Sequence, residues 1–279
     1  MTTIDESPVP DYRARYRVDG RSFIVAGAGY GMGRQAAHSL SALGGQVYCV
    51  DMVEDRVEDV AKETGGVAHV TDVRHGDQVR AVVEGAQAAF GRIDGVVDVI
   101  GMARWAAIAD MPDEDWDWVH AEVVRHAFHF VKYGGRAIAD GGGGSIVFVA
   151  SVDGLASSPF HAAYGAAKAG LISLVRTAAV ELRAQQVRVN VVAPGGVATP
   201  RLLQSRGLAN QEAATAGALT DLARVSDIAS ALTFFSCDLS RHVTGQCLAV
   251  DGGDVVKSPF GISAPLNPPG VGMGEESLS

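Results

Sequence analysis

Three residues of this chain have side chains and spacing suited to proton transfer. Tyr164 and Lys168 stand four apart, and Ser151 precedes the tyrosine by thirteen residues. Residues four apart are neighbours on one helix face. A phenol keeps its proton until pH ~10. An ammonium close by favours the phenolate and lowers that value. A tyrosine tuned in this way exchanges a proton with an alcohol or a carbonyl near neutral pH.

Far upstream lies a glycine-rich run, Gly27-Ala28-Gly29-Tyr30-Gly31-Met32-Gly33. It follows the apolar segment Phe23–Ala26 and precedes a helical pattern over Gly33–Leu43. Gly27, Gly31 and Gly33 permit a tight turn and let backbone N–H groups approach a pyrophosphate at a helix start. A strand, this turn and a helix in succession are the context in which such glycines bind a dinucleotide. Asp51 ends the next apolar run, about twenty residues on, where a carboxylate accepts from the adenosine ribose and repels a 2′-phosphate. Its neighbours Val50 and Met52 are apolar and Tyr30 stands where the turn could carry a cation, so NAD is expected over NADP. Asp72 and Val73 follow the third run and suit the adenine edge, although Asp72 suits a helix cap equally.

These residues need a frame. Candidate strands are Ser22–Ala26, Gln46–Asp51, Val67–Thr71, Gly95–Val99, Ser145–Ala150, Val187–Val192 and Gln246–Val250. Several are nearly all apolar, as strands covered on both faces should be. Between them, Leu171, Leu174, Val175, Ala178 and Leu182 repeat at helical spacing. Alternating strands and helices predict an α/β fold: a single-domain, Rossmann-like, doubly wound parallel sheet of about seven strands flanked by helices. Its ligands are expected at the C-terminal edge of the strands. Residues 1–20 read as an N-terminal arm, 21–253 as the NAD-binding catalytic domain and 254–279, with Pro259, Pro265, Pro268 and Pro269, as a C-terminal tail.

The chain has 279 residues, 47% hydrophobic, and a formal charge of −9. That sign argues against nucleic acid or an anionic membrane as the partner. No apolar run approaches the ~20 residues of a membrane span, and no signal core opens the chain. Cys49, Cys237 and Cys247 are scattered and odd in number, which suits a reducing cytoplasm and offers no metal spacing.

The motifs together resemble those of the short-chain dehydrogenase/reductases. The resemblance runs over nearly all of Arg21 to Gly253: the AGAGYGMG turn, Asp51, VASVDG with Ser151, YGAAK with Tyr164 and Lys168, RVNVVAPGGVATP, and TGQCLAVDGG. It implies that Tyr164 is the general acid/base, that Lys168 lowers its pKa and binds the nicotinamide ribose, and that Ser151 holds the substrate oxygen. It also implies that Pro194–Thr199 cradles the nicotinamide, with Val197 and Thr199 at the carboxamide. The expected cofactor site therefore comprises Gly27, Tyr30, Gly31, Met32, Gly33, Asp51, Met52, Asp72, Val73, Ile100, Gly101, Tyr164, Lys168, Pro194, Gly195, Val197 and Thr199.

Three departures from the family pattern stand out. Ala26 replaces a threonine at the head of the glycine motif. Asp98-Val99-Ile100-Gly101 replaces Asn-Asn-Ala-Gly, with Asp98 at the first asparagine's place. Aligning Trp116 and Phe128 puts Val123 where the family carries an asparagine that helps hold a water linking the lysine to solvent. His120, Glu122 and His126 stand near that position.

The substrate is expected to be a small molecule, a hydrophobic secondary alcohol or ketone, contacted by Ser151, Tyr164, Met102 and Trp105. Met102, Trp105 and Ile108 are equally readable as core contacts. A 3-oxoacyl thioester reductase is the alternative activity. A weakly catalytic, redox-responsive NAD-binding protein is the alternative from another class. Residues 201–217 correspond to a lid in the family. The resemblance implies a homotetramer assembled through the helices of about Glu114–Ala139 and His161–Gln185.

Overall fold

The apolar runs form one parallel sheet in a computed structural model, which describes residues 8–205, 207, 219 and 222–256. The strands are β1 (Ser22–Ala26), β2 (Gln46–Asp51), β3 (Val67–Val70), β4 (Gly95–Asp98), β5 (Gly144–Val149), β6 (Val187–Pro194) and β7 (Cys247–Val250). Their spatial order is β3-β2-β1-β4-β5-β6-β7, and every neighbouring pair is parallel. The order reverses at β1, which lies between β2 and β4. A crevice opens at such a switch point, beyond the strand C-termini.

Side chains alternate between two cores with the period of a strand. On β1, Ile24 and Ala26 join one core while Phe23 and Val25 join the other. On β5, Ile146 and Phe148 face the first core, and Val147 and Val149 the second. The second core is closed by α2 (Gly31–Ala42), α3 (Glu54–Thr64) and α9 (Val225–Ser236) through Leu40, Val60 and Leu232. The first is closed by α4 (Gly76–Phe90), by the helical run Asp113–Asp140 and by α8 (Ala162–Leu182).

The run Asp113–Asp140 departs from the regular amphipathic helix expected. It consists of α5 (Asp113–His120), α6 (His126–His129) and α7 (Gly135–Asp140), joined by π-helical turns at Ala121–Arg125 and Phe130–Gly134. Wide turns of this kind lengthen the hydrogen-bonded ring and concentrate at functional sites. The first carries Glu122 and Val123, both buried.

Before β1, Asp11 caps the short helix α1 (Tyr12–Tyr16), and Val18 is fully buried. Arg21 then grips Asp238 with two hydrogen bonds of 2.8 and 2.6 Å. Much of the expected tail (257–279) and most of the expected lid (206 and 208–217) lie outside the described residues. Among the described residues, no helix is long and apolar enough to cross a membrane.

The close approach of α2 to the preceding turn depends on Gly33. A Cβ there would stand 1.9 Å from the Gly27 carbonyl oxygen. Gly33→Ala is expected to lower stability by about 3 kcal/mol, as overpacking does, and to weaken dinucleotide binding. Thermal melting and a dinucleotide titration check both.

Candidate active site

The crevice at the switch point has a volume of about 510 Å³. Its walls include Gly27, Tyr30, Met32, Asp51, Met52, Asp72, Val73, Ile100, Gly101, Met102 and Thr199, all expected there. The glycine turn builds one end. Gly27 and Ala28 donate to the Val50 carbonyl at 2.8 and 3.0 Å, which pins the turn to β2. Gly27 has φ +81°, and a Cβ there would stand 2.9 Å from a Val99 methyl. Helix α2 begins at Gly31, and Tyr30 before it offers no side-chain cap. First-turn N–H groups without a cap are an anion site. The cradle that a Cβ would fill therefore fits the pyrophosphate of a dinucleotide.

Asp51 is fixed from both sides. Its Oδ2 accepts from Gly29 N–H at 2.9 Å and its Oδ1 from Val53 N–H at 3.1 Å. Gly29 was not among the expected site residues, yet a Cβ there would meet Asp51 Oδ2 at 2.7 Å. The sequence neighbours of Asp51 are apolar, but cations reach the same wall through space. Arg56, on the first turn of α3, lines the same wall, with its guanidinium 4.6 Å from the centre of the Tyr30 ring. It is five residues from Asp51 in sequence, and the helix start brings it back. Arg74 lines the cleft as well. It pairs with Asp72, Nε standing 2.9 Å from each carboxylate oxygen, and this holds the Asp72 carboxyl below the usual range. Asp72 is not a helix cap: His75 occupies that position of α4.

Pro194, Gly195 and Val197 are not on the cleft wall. Gly195 packs on Asp251, where a Cβ would stand 2.9 Å from the aspartate's own Cβ. Val197 is buried in the second core and bridges to Ala223. Thr199 does reach the cleft, and its hydroxyl accepts from Leu202 N–H at 3.3 Å.

Behind Gly101 lies the expected proton-transfer group. Lys168 is 1% exposed, and its Nζ donates to the Val149 carbonyl at 2.7 Å. A Cβ on Gly101, which has φ +154°, would stand 2.5 Å from that Nζ, so a larger residue there would displace the lysine's end. The Lys168 Nζ is 5.5 Å from the centre of the Tyr164 ring. Ser151 caps a 3-10 turn, its Oγ accepting from Asp153 N–H at 3.1 Å. The three residues come together because β5 ends at Val149 and α8 packs back over that end.

The electrostatics differ from the simple expectation. The Tyr164 phenol is pushed up to about 12, by burial first and the Asp153 charge second, while a Ser151 hydrogen bond pulls the other way. Burial drives Lys168 down to about 8 against the supporting charges of Asp98 and Glu122. The lysine is turned toward Val149, and in this arrangement the phenol retains its proton.

Trp105 stands at the mouth, its ring 3.9 Å from the His161 ring, edge-on, and 6.3 Å from that of Tyr164. His161 Nε2 lies 3.8 Å from Asp153 Oδ2, and Ser158 Oγ donates to Asp153 Oδ1 at 2.7 Å. Asp153 and His161 escaped the sequence reading, although their spacing from Ser151 and Tyr164 (two and three residues) offered a signal. Glu122, Trp118 and Arg201 complete the cleft wall.

The family described as enoyl-(acyl carrier protein) reductase has a profile that matches residues 27–254. The chain belongs to the short-chain dehydrogenase/reductase family. A 3-oxoacyl-[acyl-carrier-protein] reductase of Thermotoga maritima is 31% identical over 245 residues, 86% of this chain and 100% of its own. A D-threitol dehydrogenase of Mycolicibacterium smegmatis is 31% identical over 87% of this chain and 95% of its own. Among solved structures, a 7α-hydroxysteroid dehydrogenase complexed with NADH and 7-oxo glycochenodeoxycholic acid superposes with a TM-score of 0.79. It is 27% identical over 88% of this chain and 98% of its own. The chain is accordingly an oxidoreductase of this family, of a kind that uses nicotinamide cofactors on small molecules.

Burial of Lys168 carries a pH signature. Between pH 8 and 10.5 the unfolded lysine holds a proton that the folded one has shed, so folding stability climbs with pH there. Below pH 8 both states are charged and the burial cost is constant. Tyr164 acts oppositely above pH 10, where the unfolded phenol ionises first. Against Lys168→Met, the unmodified chain is expected to gain about 3 kcal/mol across pH 8–10.5. Denaturant melts of both proteins over pH 7–11 measure the difference.

Proposed function

We propose that the protein is an NAD-dependent dehydrogenase/ketone reductase acting on a hydrophobic secondary alcohol or its ketone, with Tyr164 as general acid/base. One observation carries this reading: Ser151, Tyr164 and Lys168 converge beside a glycine-cradled cleft whose mouth is apolar. Trp105, a large exposed hydrophobic beside Tyr164, stands at that mouth. A bound nicotinamide dinucleotide supplies the hydride donor or acceptor. Gly27, Gly31, Met32 and Gly33 hold its pyrophosphate, Asp51 and Met52 the adenosine ribose, and Asp72 and Val73 the adenine side. Ile100, Gly101 and Thr199 are assigned to its nicotinamide half, and Pro194, Gly195 and Val197, set back from the cleft wall, to the same half through the segment that carries Thr199.

In oxidation, Ser151 orients the alcohol oxygen and Tyr164 Oη takes its proton. In reduction Tyr164 returns it. The phenol at about 12 is the competent acid for reduction. Oxidation requires Lys168 to turn its charge toward the phenolate. Backbone N–H groups hold both Asp51 oxygens at the end of β2, the position of a ribose-binding carboxylate, and this supports NAD over NADP. Arg56 and Arg74 on the same wall are the groups that an NADP reading would need.

The thioester-reductase reading draws on the Thermotoga maritima relative, which aligns over its full length. The apolar, aromatic mouth favours the alcohol or ketone. Exposed Trp116 and Phe128 on the α5–α6 run and Val180 on α8 support assembly through these helices into the proposed homotetramer. The proposed setting is the cytoplasm. Residues 21–253 form the proposed catalytic unit, flanked by arms at 1–20 and 254–279.

Tyr164→Phe is expected to cut kcat by about 10²–10⁴-fold on any alcohol that the unmodified chain oxidises, with dinucleotide affinity intact. Unchanged turnover refutes the acid/base role, and absence of turnover by the unmodified chain over a broad alcohol and ketone panel favours the redox-responsive binder. Parallel fluorescence titrations with NADH and NADPH are expected to show tighter NADH binding. The reverse order would assign Arg56 or Arg74 to a 2′-phosphate.

A further inference from the structure

Among the described residues, neither Asp98 nor Asp153 has a lysine or arginine at ion-pair distance. The two carboxylates differ in access. Asp98 is 1% exposed, with Oδ2 2.8 Å from His126 Nε2, and is sealed in the core. The Asp153 side chain is 14% exposed and lies beside Ser151.

Asp153 is under-partnered. Its Oδ1 accepts from Ser158 Oγ at 2.7 Å and its Oδ2 from Ser151 Oγ at 3.3 Å. A carboxylate has about four acceptor sites, and these two hydroxyls leave about half of them open. His161 Nε2 faces Oδ2 at 3.8 Å, too far for a hydrogen bond. His161 Nδ1 is 2.7 Å from the Pro159 carbonyl oxygen, which can only accept, so Nδ1 carries the ring proton. In the neutral imidazole Nε2 is then an acceptor too. Oδ2 and Nε2 thus face each other as two acceptors with no hydrogen between them.

The backbone fixes this pair in place. Phe160 has φ +67°, an uncommon conformation for a bulky residue. Its carbonyl accepts from Ala106 N–H at 3.3 Å, and Ala106 bridges to His161. The segment that carries Trp105 is therefore tied to the segment that carries His161. Trp105 is 61% exposed and leaves ring surface free beside the pair, and an indole face attracts a cation.

We propose that Asp153 and His161, with Trp105 beside them, receive the protonated amine of an amino alcohol or amino ketone substrate. An ammonium has three N–H donors and serves both acceptors, whereas a hydroxyl has one. It also brings the positive charge that Asp153 lacks. Ser151 Oγ, assigned above to the substrate oxygen, is 3.3 Å from Asp153 Oδ2, so the nitrogen belongs on the carbon next to the carbinol carbon. The substrate class named above thereby narrows to an apolar skeleton with an amine beside the reacting centre. The amine keeps all its bonds: the carbinol C–H still yields the hydride to the dinucleotide, and the O–H its proton to Tyr164.

The same contact bears on the acid/base. Burial first and the Asp153 charge second push the Tyr164 phenol up to about 12. An ammonium seated on Asp153 offsets the second cause and eases ionisation of the phenol. A neutral alcohol gives no such help. The titratable groups that face Asp153 are His161 at the N-cap of α8 and Tyr164 in its first turn.

The inference rests on the proposed reading of the site, and the experiment separates the two. The full chain is given three matched alcohols: α-(aminomethyl)benzyl alcohol, α-methylbenzyl alcohol and styrene glycol. They differ only in carrying an ammonium, a hydrogen or a hydroxyl on the carbon beside the carbinol. Two quantities are measured as a function of pH: kcat/KM with saturating NAD, and affinity for the NADH-loaded chain, in which oxidation cannot proceed. The amino alcohol is expected to exceed both others about tenfold or more in each, and to lose that advantage as pH rises past its own amine pKa. Asp153→Asn is expected to bring the advantage close to one. Should that variant not fold, the pH dependence of affinity in the unmodified chain decides. Equal affinities across the three, a preference for the glycol, or an amine advantage that survives Asp153→Asn overturns the proposal. Oxidation of none of the three, or oxidation that survives Tyr164→Phe, is a failure of the acid/base reading, and the order of affinities still decides the amine site.

Discussion

The site depends on keeping a lysine ammonium inside the core. Removing such a charge from water costs several kcal/mol unless partners surround it. Here they come from three elements at once: the Val149 carbonyl at the end of β5, the Asp98 carboxylate at the end of β4 and Glu122 on the helical run above. Asp98 is opposite Phe148 in the β4–β5 register, one residue from Val149. A slip of a single residue would turn one partner to the other face. The register that positions Lys168 also sets Ser151, two residues beyond Val149, against Tyr164, one helical turn before the lysine.

The cleft on the other side of Gly101 is a second electrostatic problem with a different solution. The chain is acidic overall, yet this wall carries Arg56, Arg74 and Arg201 beside Asp51, Asp72 and Glu122. Arg74 and Asp72 largely satisfy each other. Asp51 is satisfied by backbone N–H groups and keeps its negative field for a ligand. Local pairing, more than net charge, decides what the wall offers an incoming phosphate or ribose.

Much of this was legible in the linear sequence, for physical reasons. Strands covered on both faces, such as β1 and β5, are nearly all apolar and declared themselves, and the ends expected for all seven lie within about two residues of those observed. Gly27 and Gly33 were legible because no other residue fits where they stand. The neighbourhood of Asp51 was not: Arg56 returns to it only because α3 starts at Glu54. The direction of Lys168 was also hidden. Four-residue spacing places it near Tyr164 but cannot say that the Val149 carbonyl captures its N–H, or that burial outweighs the ammonium in setting the phenol. The relation of Asp98 to His126 joins a strand to a helix across nearly thirty positions, and no local pattern announces it.

The π-helical turns have a meaning for ancestry as well as for chemistry. A turn closed by i→i+5 hydrogen bonds takes in one residue more than an α turn before the helix resumes its course. The run Asp113–Asp140 contains two of them. Counting forward from Trp116 and backward from Phe128 therefore measures different helical phases. A one-residue gap in this stretch, when the chain is aligned with its relatives, would be a physical object: a swollen turn that absorbs an insertion without disturbing either flank. Such a turn lets a lineage change the side chain presented to the lysine without moving the sheet beneath it.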